Sequence, residues 1–159
     1  MLKPTTPVNE EKYLKKTAWL SIIISALFSL ELFDHSFSAL KESHTGFFML
    51  IAMAYLVLMI AMLNLLYNIV ISTWDIKEAW LGRFQDEYFN EVNLKAAYYA
   101  LGVLGVFLGV VSWLDFLLPE VITTMSLQSF SKLSMGVGFL TYGSSILWEL
   151  KKSDDDAYE

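Results

Sequence analysis

The chain has 159 residues, of which 55% are hydrophobic and only 18% charged, with a net charge of −6. A soluble domain is ordinarily about 45–50% apolar and about 25% charged, and here the charges fall in clumps between long apolar runs. With no cysteine in the chain, disulfides, thiolate metal sites, iron–sulfur clusters and cysteine nucleophiles are excluded, and the acidic balance argues against nucleic acid as a direct partner.

Residues 1–16, "MLKPTTPVNEEKYLKK", are polar, with prolines at 4 and 7, and read as a flexible lead-in. A cleavable signal peptide is disfavoured, because the first apolar run is too long for an h-region and no small-x-small site follows it. That run covers 17–37. Ser21, Ser25 and Ser29 mark one of its helical faces, and Glu31 lies a turn before its polar end. A carboxylate at that depth needs a partner or water. Either the helix ends there and Glu31 reaches the headgroups, or it belongs to a proton or cation path. The connection that follows holds both histidines, His35 and His44. They are read as exposed loop residues, with a zinc site completed by Asp34 or Glu42 as the sharper alternative.

The second run, 46–74, carries Asn64 and Asn68 one turn apart, so this amide face should look toward another helix or a wet cavity. Next comes a charged island, "DIKEAWLGRFQDEYFNEVNLK", which holds the only arginine, Arg83. Its apolar residues recur every three or four positions, which predicts an amphipathic helix over 75–93. Surface-seeking membrane helices carry Lys and Arg on the polar face, whereas this one is acidic. The face of Trp80, Phe84, Tyr88 and Phe89, with Arg83 beside it, is therefore expected to pack on protein: a partner, another copy, or the inner ends of the chain's own helices.

The third run, 94–118, places Gly102, Gly105, Gly109 and Ser112 on one face, a seam where another backbone can approach closely. Asp115 stands near its far end and raises the same question as Glu31. The fourth run, 132–150, is rich in Ser, Gly and Thr and should lie against its neighbours rather than lipid. Residues 151–159 form an acidic tail. Each of the four runs is long enough to cross a hydrocarbon core of about 30 Å as a helix.

Nine of the basic residues fall in the N-terminal segment, the island and the tail, and two (Lys41 and Lys132) fall in the other connections. The positive-inside rule then puts both termini and the island in the cytoplasm. No metalloprotease, phosphate-loop, nucleophile-elbow or dinucleotide signature occurs, so neither a catalytic residue nor a cofactor is assigned.

The first half, with "TAWLSIIISALFSLELF" followed by "LKESHTGFFMLIAMAYLVLMIAM", resembles the YiaA/YiaB type of bacterial inner-membrane protein. In that type a Trp-led span precedes an L-x-E-x-G-aromatic-aromatic entry to the next span. Leu40, Glu42, Gly46, Phe47 and Phe48 match with two residues inserted, and the second half shares only the architecture. The resemblance implies an inner-membrane location and no reaction. The expected protein is an all-α membrane protein with four spans in two hairpins and a cytoplasmic helix between spans two and three. Its expected role is that of a non-enzymatic membrane subunit or scaffold, either a homo-oligomer or a partner in a membrane complex. The alternative is a small oligomeric channel or transporter using Asn64, Asn68, Glu31 and Asp115.

Overall fold

In a computed structural model, all described secondary structure is helical: α1 (Pro7–Ser36), α2 (Thr45–Thr73), α3 (Glu87–Leu117) and α4 (Leu127–Asp156). The structure describes residues 7–36, 45–73, 84, 86–117 and 126–156. Three of the helices, α1, α2 and α3, are long and apolar enough to cross a membrane. The fourth is equally long, but Ser134, Gly136, Gly138, Thr141, Gly143, Ser144 and Ser145 lower its apolarity.

Helix α2 packs along α1, α1 along α4, and α4 along α3, while α3 returns to touch α1 more lightly. Gly143 faces Ala18, and Gly136 faces Ser25, so α1 and α4 run antiparallel. Asn93 meets Tyr142 and Phe107 stacks on Phe130, so α3 and α4 do too.

Two boundaries differ from the sequence reading. The lead-in is helical from Pro7, and its first turns are built in: Glu10 is 2% exposed and Leu14 1%. Glu10, Leu14, Ala18, Ser21 and Ser25 form one continuous face at spacings of three and four. The helix expected over 75–93 is also not continuous. Phe84 is non-helical, Asp86 is a bend, and the residues from Glu87 onward belong to α3, whereas residues 74–83 lie outside the described residues.

Local chemistry explains the break. Asp86 is the N-cap of α3, its Oδ1 accepting the Tyr88 N–H at 2.9 Å. Asn90 reaches back over the bend: its Oδ1 accepts from the Phe84 N–H (2.8 Å) and its Nδ2 donates to the Phe84 carbonyl (2.6 Å). Both polar groups of a buried non-helical residue are thereby satisfied. Ser126 caps α4 in the same manner, accepting from the Ser129 N–H at 3.1 Å. Asp86→Ala is expected to lower stability by about 1 kcal/mol, and Asp86→Asn, which keeps an acceptor oxygen, by much less. The midpoint of a denaturant titration reads both.

The apolar core sits at one end of the bundle. Leu14 and Ala18 of α1, Phe84, then Phe89, Val92 and Ala96 of α3, and Ile146 and Leu150 of α4 are buried together, with Tyr13, Tyr88, Tyr142 and Leu147 packed around them. Polar bonds ring this core. Glu10 Oε2 accepts from the Asp86 N–H (3.1 Å), the Tyr88 hydroxyl donates to the Glu149 carbonyl (3.3 Å), and the Tyr142 hydroxyl donates to Asn93 Oδ1 (2.5 Å). At about 45 Å, each long helix exceeds a hydrocarbon core of about 30 Å.

Candidate functional site

The expected docking face divides at the bend. Trp80 and Arg83 lie outside the described residues. Phe84 and Phe89 are each 6% exposed and belong to the core. Phe84 sits against Tyr13 of α1 with ring centroids 6.0 Å apart, and Tyr88 packs edge-on to Phe89 at 5.3 Å. The covering protein here is the chain's own α1 and α4.

The two small-residue faces behave differently. Ser21 and Ser25 are buried and Ser29 is exposed. They line the approach of α4: a Cβ on Gly143 would come within 2.5 Å of the Ala18 carbonyl oxygen, 2.9 Å of Ile22 Cγ1 and 3.3 Å of Ser21 Cβ. Gly143 is thus required for backbone contact between α1 and α4. Gly102, Gly105 and Gly109 have nothing within 4 Å of such an added Cβ. With Ser112 they form an exposed strip on α3, flanked by exposed Leu101, Val106 and Trp113.

Hydroxyls that looked like polar lining are satisfied within their own helices. Ser21 donates to the Thr17 carbonyl, Ser29 to Ser25, Ser134 to Phe130, Thr141 to Val137 and Ser144 to Leu140, at 2.7–3.0 Å. This back-bonding lets Ser and Thr sit in an apolar setting without a cross-helix partner.

The candidate pathway residues are dispersed. Asn68 Nδ2 donates to the Asn64 carbonyl (2.8 Å) and to Asn64 Oδ1 (2.9 Å) on the exposed surface of α2, and the Asn68 carbonyl accepts from Lys16 Nζ at 3.4 Å. Glu31 pairs with Lys132 of α4. Lys16, which marks the level of Asn68, lies about 22 Å along α1 from Glu31. Asp115 and His35 lie on α3 and α1, with side chains outside the described residues, as is all of His44.

Sequence reasoning missed Glu10, Asn90, Asn93 and Tyr142, the polar groups that tie the helix ends together. Asn90 four positions after Asp86 was a visible signal for a cap and bend; nothing local distinguishes Glu10 from Glu11 beside it.

Comparison of the chain with family models, with curated proteins and with solved structures found no match. The functional reading therefore rests on the residues themselves.

Proposed function

We propose that this protein is a non-enzymatic integral membrane subunit that works by helix–helix association within the bilayer, through the glycine face of α3. The observation that carries this reading is the strip of Gly102, Gly105 and Gly109, open on a helix long and apolar enough to span. Lipid tails are as apolar as Leu, so association in a membrane depends on close backbone packing, and Gly105-x-x-x-Gly109 is the spacing that permits it. Phe84 and Phe89 are buried in the chain's own core, which favours this strip over the island as the associating face. The proposed layout is four spans as two hairpins, with both termini cytoplasmic in a bacterial inner membrane. The distribution of Lys and Arg among the connections supports the orientation.

Gly105→Leu, made in the full chain, should shift the population toward monomer by about tenfold or more in mild detergent, read by crosslinking or sedimentation. The monomer should keep its fold, because that position has room. A wild-type chain that sediments as a lone monomer, with no co-purifying membrane protein, would refute the proposal.

The second reading, a conducting oligomer, draws on the exposed amides of Asn64 and Asn68. Ion flux in liposomes that Asn64→Leu or Glu31→Gln alters would favour it.

A further inference from the structure

We infer that the groove between α3 and α4 at the core end of the bundle is a binding site for the headgroup of a phospholipid that carries a primary ammonium beside its phosphate. The inference rests on the membrane placement proposed above and not on the glycine face.

The groove has a volume of about 280 Å³ and is lined by Tyr99, Ser144, Ser145, Trp148 and Glu149. Three of its features suit a cation that donates hydrogen bonds. Tyr99 and Trp148, 52% and 72% exposed, line it with aromatic rings, whose negative quadrupole attracts an ammonium. The Ser144 hydroxyl has its proton committed to the Leu140 carbonyl at 2.7 Å, so it presents lone pairs outward. Among the described residues no direct salt bridge engages the Glu149 carboxylate, which feels Lys95 at longer range, and its backbone carbonyl accepts from the Tyr88 hydroxyl.

Two considerations choose the ligand. A quaternary ammonium has no N–H and is held by closed aromatic cages, whereas this groove is open and supplies acceptors. A primary ammonium with three donors uses them all. Lys95 lies within electrostatic reach of both Glu149 and Tyr99 while paired to Glu91 at 2.8 Å. It places one positive charge beside the groove for a phosphate. Of the residues lining the groove only Glu149 is charged, and Lys151 and Lys152 stand just beyond it on α4, so a headgroup without a cation of its own is disfavoured inside the groove.

Position chooses the source. The groove lies where the apolar stretches of α3 and α4 end, close to Lys95 and Leu150, the level of headgroups. From it, exposed Val103 and Val106 on α3 and Leu140 on α4 run outward toward the hydrocarbon. Acyl chains can follow that surface, and a free amine gains nothing from it.

The test uses the full-length protein in detergent with phosphatidylethanolamine, phosphatidylcholine and phosphatidylglycerol of matched acyl chains, with retention read by native mass spectrometry. Phosphatidylethanolamine should be retained about tenfold over the other two. Glu149→Gln, which is isosteric, and Trp148→Leu should each abolish that preference while leaving retention of the other lipids unchanged. Equal retention of all three lipids by the wild type would overturn the inference, leaving Trp148 an ordinary interfacial anchor. An unchanged preference in Glu149→Gln would overturn it as well. Competition by millimolar O-phosphoethanolamine would overturn the lipid source. Failure of the membrane reading shows separately and earlier, as recovery of the chain in the soluble fraction.

Discussion

Replacing Gly143 by alanine lowers the unfolding free energy by about 1–3 kcal/mol, whereas the same change at Gly102 leaves it unchanged or raises it by up to about 1 kcal/mol. Alanine is the better helix former by about 1 kcal/mol at either position, so propensity alone predicts stabilisation at both. Surroundings reverse the sign at Gly143. The nearest atom to the new methyl is the Ala18 carbonyl oxygen at 2.5 Å, a backbone atom that cannot rotate aside, so α1 and α4 must separate along their whole seam. Gly143→Leu enlarges the loss and should release α4 from α1. Gly102 meets nothing within 4 Å. A titration with SDS followed by circular dichroism reads both variants, and equal behaviour at the two glycines would rule out this packing.

Phe84→Ala is expected to remove about 3–5 kcal/mol, much of the stability of a domain that has roughly 5–15 kcal/mol in total. Phe84 is 6% exposed and packs on Tyr13, so its removal leaves a cavity between α1 and the start of α3. The consequence separates two roles for the island. A docking residue, once truncated, weakens capture of a partner and leaves unfolding untouched. A core residue shifts unfolding in the isolated chain, with no partner present. The second outcome is the expected one, and the same titration measures it.

Much of the architecture was legible because apolar run length and three-to-four spacing report helices directly. The seam-forming character of Ser21, Ser25 and the fourth run could be read for the same reason. What could not be read is which object covers a face. Gly143 and Gly102 are alike in sequence, yet one touches a backbone and the other touches nothing. The island's periodicity runs straight through the non-helical Phe84 and the bend at Asp86, and the Asn90 side chain that holds Phe84 makes no periodic signal. Glu10 was invisible for a related reason: its partner, the Asp86 N–H, is 76 positions away.

In the membrane placement proposed above, the location of the apolar core at one end follows from the two solvents along the bundle. Water drives burial of Leu14, Phe84, Phe89 and Ile146 only where water is present, whereas in hydrocarbon the helices cohere by close contact of small residues. The bundle is thus held by two different forces along one axis, and Lys132–Glu31 closes the far end electrostatically.

The central place of α1 carries a further consequence, in the distance each helix can travel without meeting a charge. From Lys16 to Glu31 on α1 that distance is about 22 Å, from Lys132 to Glu149 on α4 about 26 Å, and from Lys95 to Asp115 on α3 about 30 Å; α2 has no charge along its full length of about 43 Å. The two helices at the centre, α1 and α4, have the shorter stretches, and α3 and α2, each packed mainly on one neighbour, have the longer ones. A helix shielded by protein can end its apolar stretch short of the bilayer, because neighbours meet its charges. One bathed in lipid has no such relief and must match or exceed the membrane's thickness. In the membrane placement proposed above, the spacing of charges along each helix is therefore a ruler for its distance from lipid.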